Sequence, residues 1–199
     1  MEHKLDMSMM FAMHDALRRE LVQVARTAKL RDDHPGRLLH ATLGWELFKK
    51  FLLVHHQSED EALWPVLRAA VADKPDRVAV VDALEAEHAA IDPLLAAIDA
   101  AAADPHYGYQ WFGDLVDALA GQLTGHLSHE ETEGLPLVDA SLTPAQWQHY
   151  AQVHTETNRR RRAGGHALAA RPGQPADAPG GPEPASPAGG DRVPRAVGA

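Results

Sequence analysis

The chain has 199 residues, enough for one domain with a sizeable core and a tail. Its formal net charge of −9 argues against nucleic acid and anionic membrane as partners. It holds no cysteine, which excludes disulfides, thiolate chemistry and sulfur-ligated metal, while 13 His stand beside only 3 Tyr and 4 Phe.

The N-terminus, MEHKLDMSMM, lacks a basic region followed by an apolar run, and no segment is apolar for long enough to cross a bilayer. The expectation is a soluble, cytoplasmic protein. Helical patterns follow in order over about 8–30, 36–72, 75–103, 106–134 and 144–162. The second is expected to break at Pro65, and Pro93 to kink the third. RDDHPG, DKPD and DPHYG separate the first four. LTPAQ opens the fifth, with Thr143 as N-cap and Gln146 completing a capping box. From about residue 164, Gly, Pro and Ala dominate and large apolar side chains are scarce, so a disordered tail is expected. Arg159–Arg162 before it suit a solvated helix C-terminus. The expected domains are 1–140, a helical bundle; 141–163, an additional helix; and 164–199, the tail.

Each of the first four helices carries an apolar stripe with bundle spacing. The first reads Met10, His14, Leu17, Leu21, Val24, Ala28. The second reads Trp45, Phe48, Leu52, His55, Glu59, Ala62. The third reads Val81, Leu84, His88, Ile91, Leu95, Ile98, and the fourth Phe112, Val116, Leu119, Leu123, His126, Glu130. Each is interrupted by His, or by His and Glu one turn apart, so these polar groups face the core. At about 1.5 Å per residue, His14 and His55 lie about 20 residues either side of their turn, as do His88 and His126 about theirs. Short turns make neighbours antiparallel, so all four levels coincide. The expected fold is all-α: an up-down-up-down antiparallel four-helix bundle with an extra C-terminal helix.

Two stretches, VHHQSEDEALWP and GHLSHEETEGLP, align by their prolines, with His55 on His126, Glu59 on Glu130 and Asp60 on Glu131. Each half of the chain thus supplies one His and then a His-x-x-x-Glu. Buried carboxylates are very unfavourable unless paired or metal-bound. Imidazole and carboxylate without sulfur suit Fe, Mn, Zn or Cu. Four His and two Glu exceed one tetrahedral site and fit two ions bridged by both carboxylates, with positions left open for a further ligand.

His14, HHQSEDEALWP, EHAAIDPLL and HLSHEE…LP, in that order over about residues 8–136, resemble the hemerythrin-like family of HHE cation-binding domains. The resemblance implies a four-helix bundle around a non-heme diiron centre (two Fe, oxo- or hydroxo-bridged) that binds, senses or handles dioxygen, peroxide, nitric oxide or iron. Carried over by position, the ligands are His14, His55, Glu59, His88, His126 and Glu130. Mn and Zn suit the same ligands. Oxygen-carrying members have two His one turn apart on the third helix, whereas here His88 is followed by Asp92. Asp92 reads as a weak ligand, a partner that holds a His or a water, or an N-cap before Pro93. The departure favours redox turnover with peroxide or nitric oxide, or sensing, over reversible oxygen carriage.

His56 is one position off the stripe and reads as a rim residue, with an alternative in which it replaces His55. His129 reads as a supporting or surface residue. Asp60, Glu61, Glu131 and Glu133 read as solvated. Trp147, Tyr150 and Val153 read as packing the last helix onto the bundle, and His34, His40, His106, His149, His154 and His166 receive no role. The competing functions are a regulatory module responsive to iron or oxygen and a cation-binding bundle without turnover. A ferritin-like oxidase fits less well, because those sites use Glu-x-x-His and are carboxylate-rich. A small oxidant is the expected partner; no protein partner is legible.

Overall fold

A computed structural model describes residues 4–28, 35–104 and 108–163; residues 1–3, the turns expected within 29–34 and 105–107, and the tail expected from residue 164 lie outside the described residues. These residues form seven α-helices and one π-helical turn, with no strand among them. They are α1 (Ser8–Ala28), α2 (Pro35–Ala62), α3 (Trp64–Ala70), α4 (Pro75–Ala103), α5 (Gly108–His129), the π-turn Glu130–Gly134, α6 (Leu135–Ser141) and α7 (Pro144–Ala163). The all-α bundle follows from short connections between long amphipathic helices. α1 packs on α2 and α5, α4 packs on α5 and α2, and α7 lies along α2. No described helix is long and apolar enough to cross a membrane.

The breaks have local causes. Proline has no N–H to continue a helical ladder. Pro65 stands in the first turn of α3, so α2 ends at Ala62 and the chain re-enters a helix after Leu63. Pro136 plays the same part in α6, and there the preceding turn is π: Leu135 N–H donates to Glu130 O, five residues back. Pro93, in contrast, lies inside α4, which continues through it. At α7 the capping box forms: Gln146 N–H donates to Thr143 Oγ1 at 3.3 Å, and Thr143 N–H donates to Gln146 Oε1 at 2.8 Å.

The stripes turn inward together. Each described member of the four is buried, polar residues included. The apolar members fall into two clusters. One holds Met10, Ala62, Trp64, Leu84 and Leu135, the other Leu17, Leu52, Ile91 and Leu123. Along every helix of the bundle the histidines and glutamates lie between these two. The core is therefore an apolar layer, a polar layer and a second apolar layer, and the polar layer is closed to water from both ends. Trp45 Nε1 and Lys49 Nζ both donate to Asp99 Oδ1, at 2.8 and 2.6 Å, tying α2 to α4 beyond the second layer. Asp139 of α6 accepts the N–H groups of Lys4 and Leu5 at 3.1 and 2.7 Å, fixing the N-terminal segment over the first.

Candidate metal centre

The polar layer contains two groups of potential ligand atoms, each within 4.8 Å of one another: one from His14, His55, Glu59 and Glu130, the other from His56, His88 and His126. His14 Nε2 and His55 Nε2 meet at 3.1 Å, as do His88 Nε2 and His126 Nε2. His14 Nε2 lies 3.2 Å from Glu130 Oε2, and His88 Nε2 lies 3.5 Å from Glu59 Oε2. Each half of the chain thus places its lone histidine against the glutamate of the other half.

His56 is not on the rim. It is 4 % exposed, and its ring stacks on His88 with centroids 3.9 Å apart and planes 13° off parallel. It accompanies His55 rather than replacing it. The helix explains how both fit: at about 100° per residue, Glu59 sits about 40° from His55 and about 60° from His56, between the two. One carboxylate therefore has an imidazole of its own helix on each side, one in each group.

Asp60 and Glu131 are not simply solvated either. Glu131 Oε1 lies 2.9 Å from His14 Nδ1, and Arg18 grips the same carboxylate through two nitrogens at 2.7 and 2.9 Å. Asp60 Oδ1 lies 2.9 Å from His88 Nδ1. Glu87 spans His126 Nδ1 at 2.9 Å and His129 Nδ1 at 2.8 Å. A carboxylate at Nδ1 holds the proton there and leaves the Nε2 lone pair facing the centre, which is the state a cation requires. His129 supports the centre through Glu87 and stands outside both groups, as does the partly buried Asp92. Because α4 continues through Pro93, Asp92 caps no helix.

Electrostatics follow the burial. Loss of water, then Glu130 and Asp60, pushes the Glu59 carboxyl well above its usual range. Loss of water also holds His55 and His56 well below 6.5, with neighbouring imidazoles adding to it, and lowers His126. At His14 burial acts downward too, but Glu130 and Glu131 outweigh it and the pKa is raised. All four carboxylate oxygens of Glu59 and Glu130 are buried without a hydrogen-bond partner, as are His55 Nδ1 and His56 Nε2. His55 Nδ1 comes within 3.1 Å of Glu59 Oε1, but off hydrogen-bond geometry. Such a concentration of unpaired acceptors is what a bound cation would satisfy.

Two features sharpen the site. Gly134 sits in the π-turn beside Glu130; a Cβ there would stand 2.9 Å from Leu84 Cδ1 and 3.2 Å from Glu130 Cγ. π-Turns of this kind are frequent where a side chain must be re-aimed for function. A cleft of about 250 Å³ between α4 and α5 reaches His126 past Gly121 and Gly125.

Sequence reasoning missed Glu87 and Tyr150. The buried Tyr150 hydroxyl faces Glu59, without full hydrogen-bond geometry, and burial followed by Glu59 and Glu130 pushes the phenol well above its usual value. The chain belongs to the hemerythrin HHE cation-binding domain family, whose model matches residues 6–138. No curated protein and no solved structure matches it.

Proposed function

We propose that this is a non-heme diiron protein that binds, senses or turns over a small oxidant: dioxygen, peroxide or nitric oxide. The observation that carries the reading is the set of four fully buried carboxylate oxygens, none with a hydrogen-bond partner, among five buried imidazoles. In this reading His56, His88 and His126 would hold one ion and His14 and His55 the other, with Glu59 and Glu130 supplying carboxylate oxygens to the pair. Two irons bound there would supply one-electron redox couples and open positions for the oxidant. Mn and Zn suit the same donors.

The chain's own part is orientation and exclusion. Asp60, Glu87 and Glu131 fix the imidazole tautomers, and Arg18 fixes Glu131. The two apolar layers keep bulk water from the carboxylates, which strengthens their hold on cations. The cleft that has His126 in its lining is the entrance this reading assigns to a diatomic or peroxide-sized molecule. With His56 among the donors, α2 supplies the imidazole missing at Asp92. Reversible oxygen binding therefore stands beside turnover as an outcome.

The test is to load the protein with Fe(II) without air and mix it separately with dioxygen, peroxide and nitric oxide, following the visible spectrum and the oxidant. Reaction with at least one, faster than free Fe(II) and lost in Glu59→Ala, Glu130→Ala, is expected. Iron retained with no reaction toward any of the three would refute the oxidant reading and leave a cation-binding or responsive module.

A further inference from the structure

α7 carries a polar row into the bundle. Tyr150, His154 and Asn158 recur at every fourth position, hence on one helical face. Each has a buried side-chain atom without a hydrogen-bond partner: Tyr150 Oη, His154 Nε2 and Asn158 Oδ1. A helix that only sealed the bundle would present apolar groups here. The row lies on the α2 side, because α7 packs along α2 and Arg161 Nε donates to Gln57 Oε1 at 3.1 Å. α2 is the helix that carries His55, His56 and Glu59. The Tyr150 ring is held between Trp147, at 5.2 Å, and His154, at 6.4 Å, and its buried hydroxyl lies near Glu59, neither group having a hydrogen-bond partner of full geometry. Trp147 is itself anchored by donating Nε1–H to Asp6 O at 3.0 Å. A buried O–H left unpaired is unfavourable, and the Glu59 carboxylate is the acceptor it faces.

We propose that Tyr150 is a positioning residue of the metal centre: its hydroxyl donates to the Glu59 carboxylate and fixes the orientation in which Glu59 faces both ligand groups. α7 is then part of the site and not only packing. The phenol does for the bridging carboxylate what Asp60, Glu87 and Glu131 do for the imidazoles, and groups in that role commonly change metal affinity about 10–100-fold. This rests on the metal-binding reading above.

The test uses the full chain loaded with Fe(II), as wild type, Tyr150→Phe and Trp147→Phe. It reads helicity, iron per chain, the rate at which a competing chelator removes iron, and the spectrum of the oxidised protein. Tyr150→Phe is expected to keep helicity and iron content, release iron roughly tenfold or more faster, and shift the spectrum. Trp147→Phe retains the hydroxyl and is expected to keep the wild-type spectrum. Release and spectrum unchanged in Tyr150→Phe would overturn the proposal while leaving the metal centre standing. The same changes in both variants would assign the effect to loosened packing of α7 and overturn it equally. A strong phenolate-to-iron absorption in wild type, lost in Tyr150→Phe, would put the phenol on the metal and refute a positioning role. A wild type that takes up no iron would remove this proposal and the metal reading together.

Discussion

Replacing Gly134 by alanine separates the two things a glycine can do. Its φ of −66° is ordinary helical backbone, so no left-handed conformation calls for glycine. What calls for it is space: the added methyl would meet Leu84 Cδ1 at 2.9 Å and Glu130 Cγ at 3.2 Å. Leu84 is fully buried, so its tip has little room to retreat, and Glu130 yields by shifting its carboxylate within the centre. Overpacking of this kind costs about 1–3 kcal/mol. Removing a helical glycine returns about 0.5–1 kcal/mol. The net loss is about 0–2.5 kcal/mol, or a melting temperature lower by up to about 10 °C in a chain of this size. Gly121 is the control, since a Cβ there meets nothing within 4 Å and alanine is expected to stabilise by about 0.5–1 kcal/mol. Thermal unfolding followed by helicity, with and without metal, measures both, and Gly134→Ala is also expected to bind metal more weakly. If Gly134→Ala gains stability as Gly121→Ala does, the close approach at Glu130 is wrong.

Other outcomes follow from the same geometry. Glu131→Gln breaks the carboxylate between Arg18 and His14 and is expected to weaken metal binding by roughly 10–100-fold at little change in fold, measured by competition with a chelator; equal affinity would mean the carboxylate does not orient His14. In the metal-free protein the folded pKa values of His14 and Glu59 are raised, so their contributions to stability are lost as pH rises above the ordinary values of 6.5 for His14 and 4.5 for Glu59. His55 and His56 act oppositely, their folded values being lowered, and matter only below 6.5. Melting temperature without metal should therefore fall as pH rises from 6.5, and metal should remove the slope because it replaces the protons; a flat metal-free profile would contradict these assignments. Gly125→Leu extends into the cleft at His126 from a position where a Cβ meets nothing, so the fold should stand while nitric oxide or azide binds more slowly in stopped flow. An unchanged rate would exclude the cleft as the entrance.

The stripes were legible because one periodicity decides both helix and burial: Leu52, Leu84, Leu119 and their neighbours sit where bundle spacing puts them. The same spacing brought His14, His55, His88 and His126 to one level. It hid His56, because a single seam per helix was assumed, whereas the side chains flanking Glu59 serve two groups of ligand atoms. Asp60 and Glu131 were visible as a repeated offset, each following a buried Glu, but their partners lie on other helices and could not be read from one. Glu87 has no such repeat. Tyr150 was readable as an inward residue of α7, but nothing local says which helix α7 covers. The π-turn had only an indirect sign in the shared offset of Pro65 and Pro136 from Glu59 and Glu130, since hydrogen-bond register is set by tertiary contacts.

The dinuclear metal centre proposed at Glu59 and Glu130 makes a stoichiometric prediction. The most direct measurement is metal per chain by elemental analysis, on protein made in iron-replete medium and purified without a metal-binding tag. Glu59→Ala, Glu130→Ala is the control. Two iron ions per wild-type chain, lost in the double variant, is the predicted result. One zinc ion per chain, or no metal with the double variant equally stable, would rule out a diiron centre at these residues.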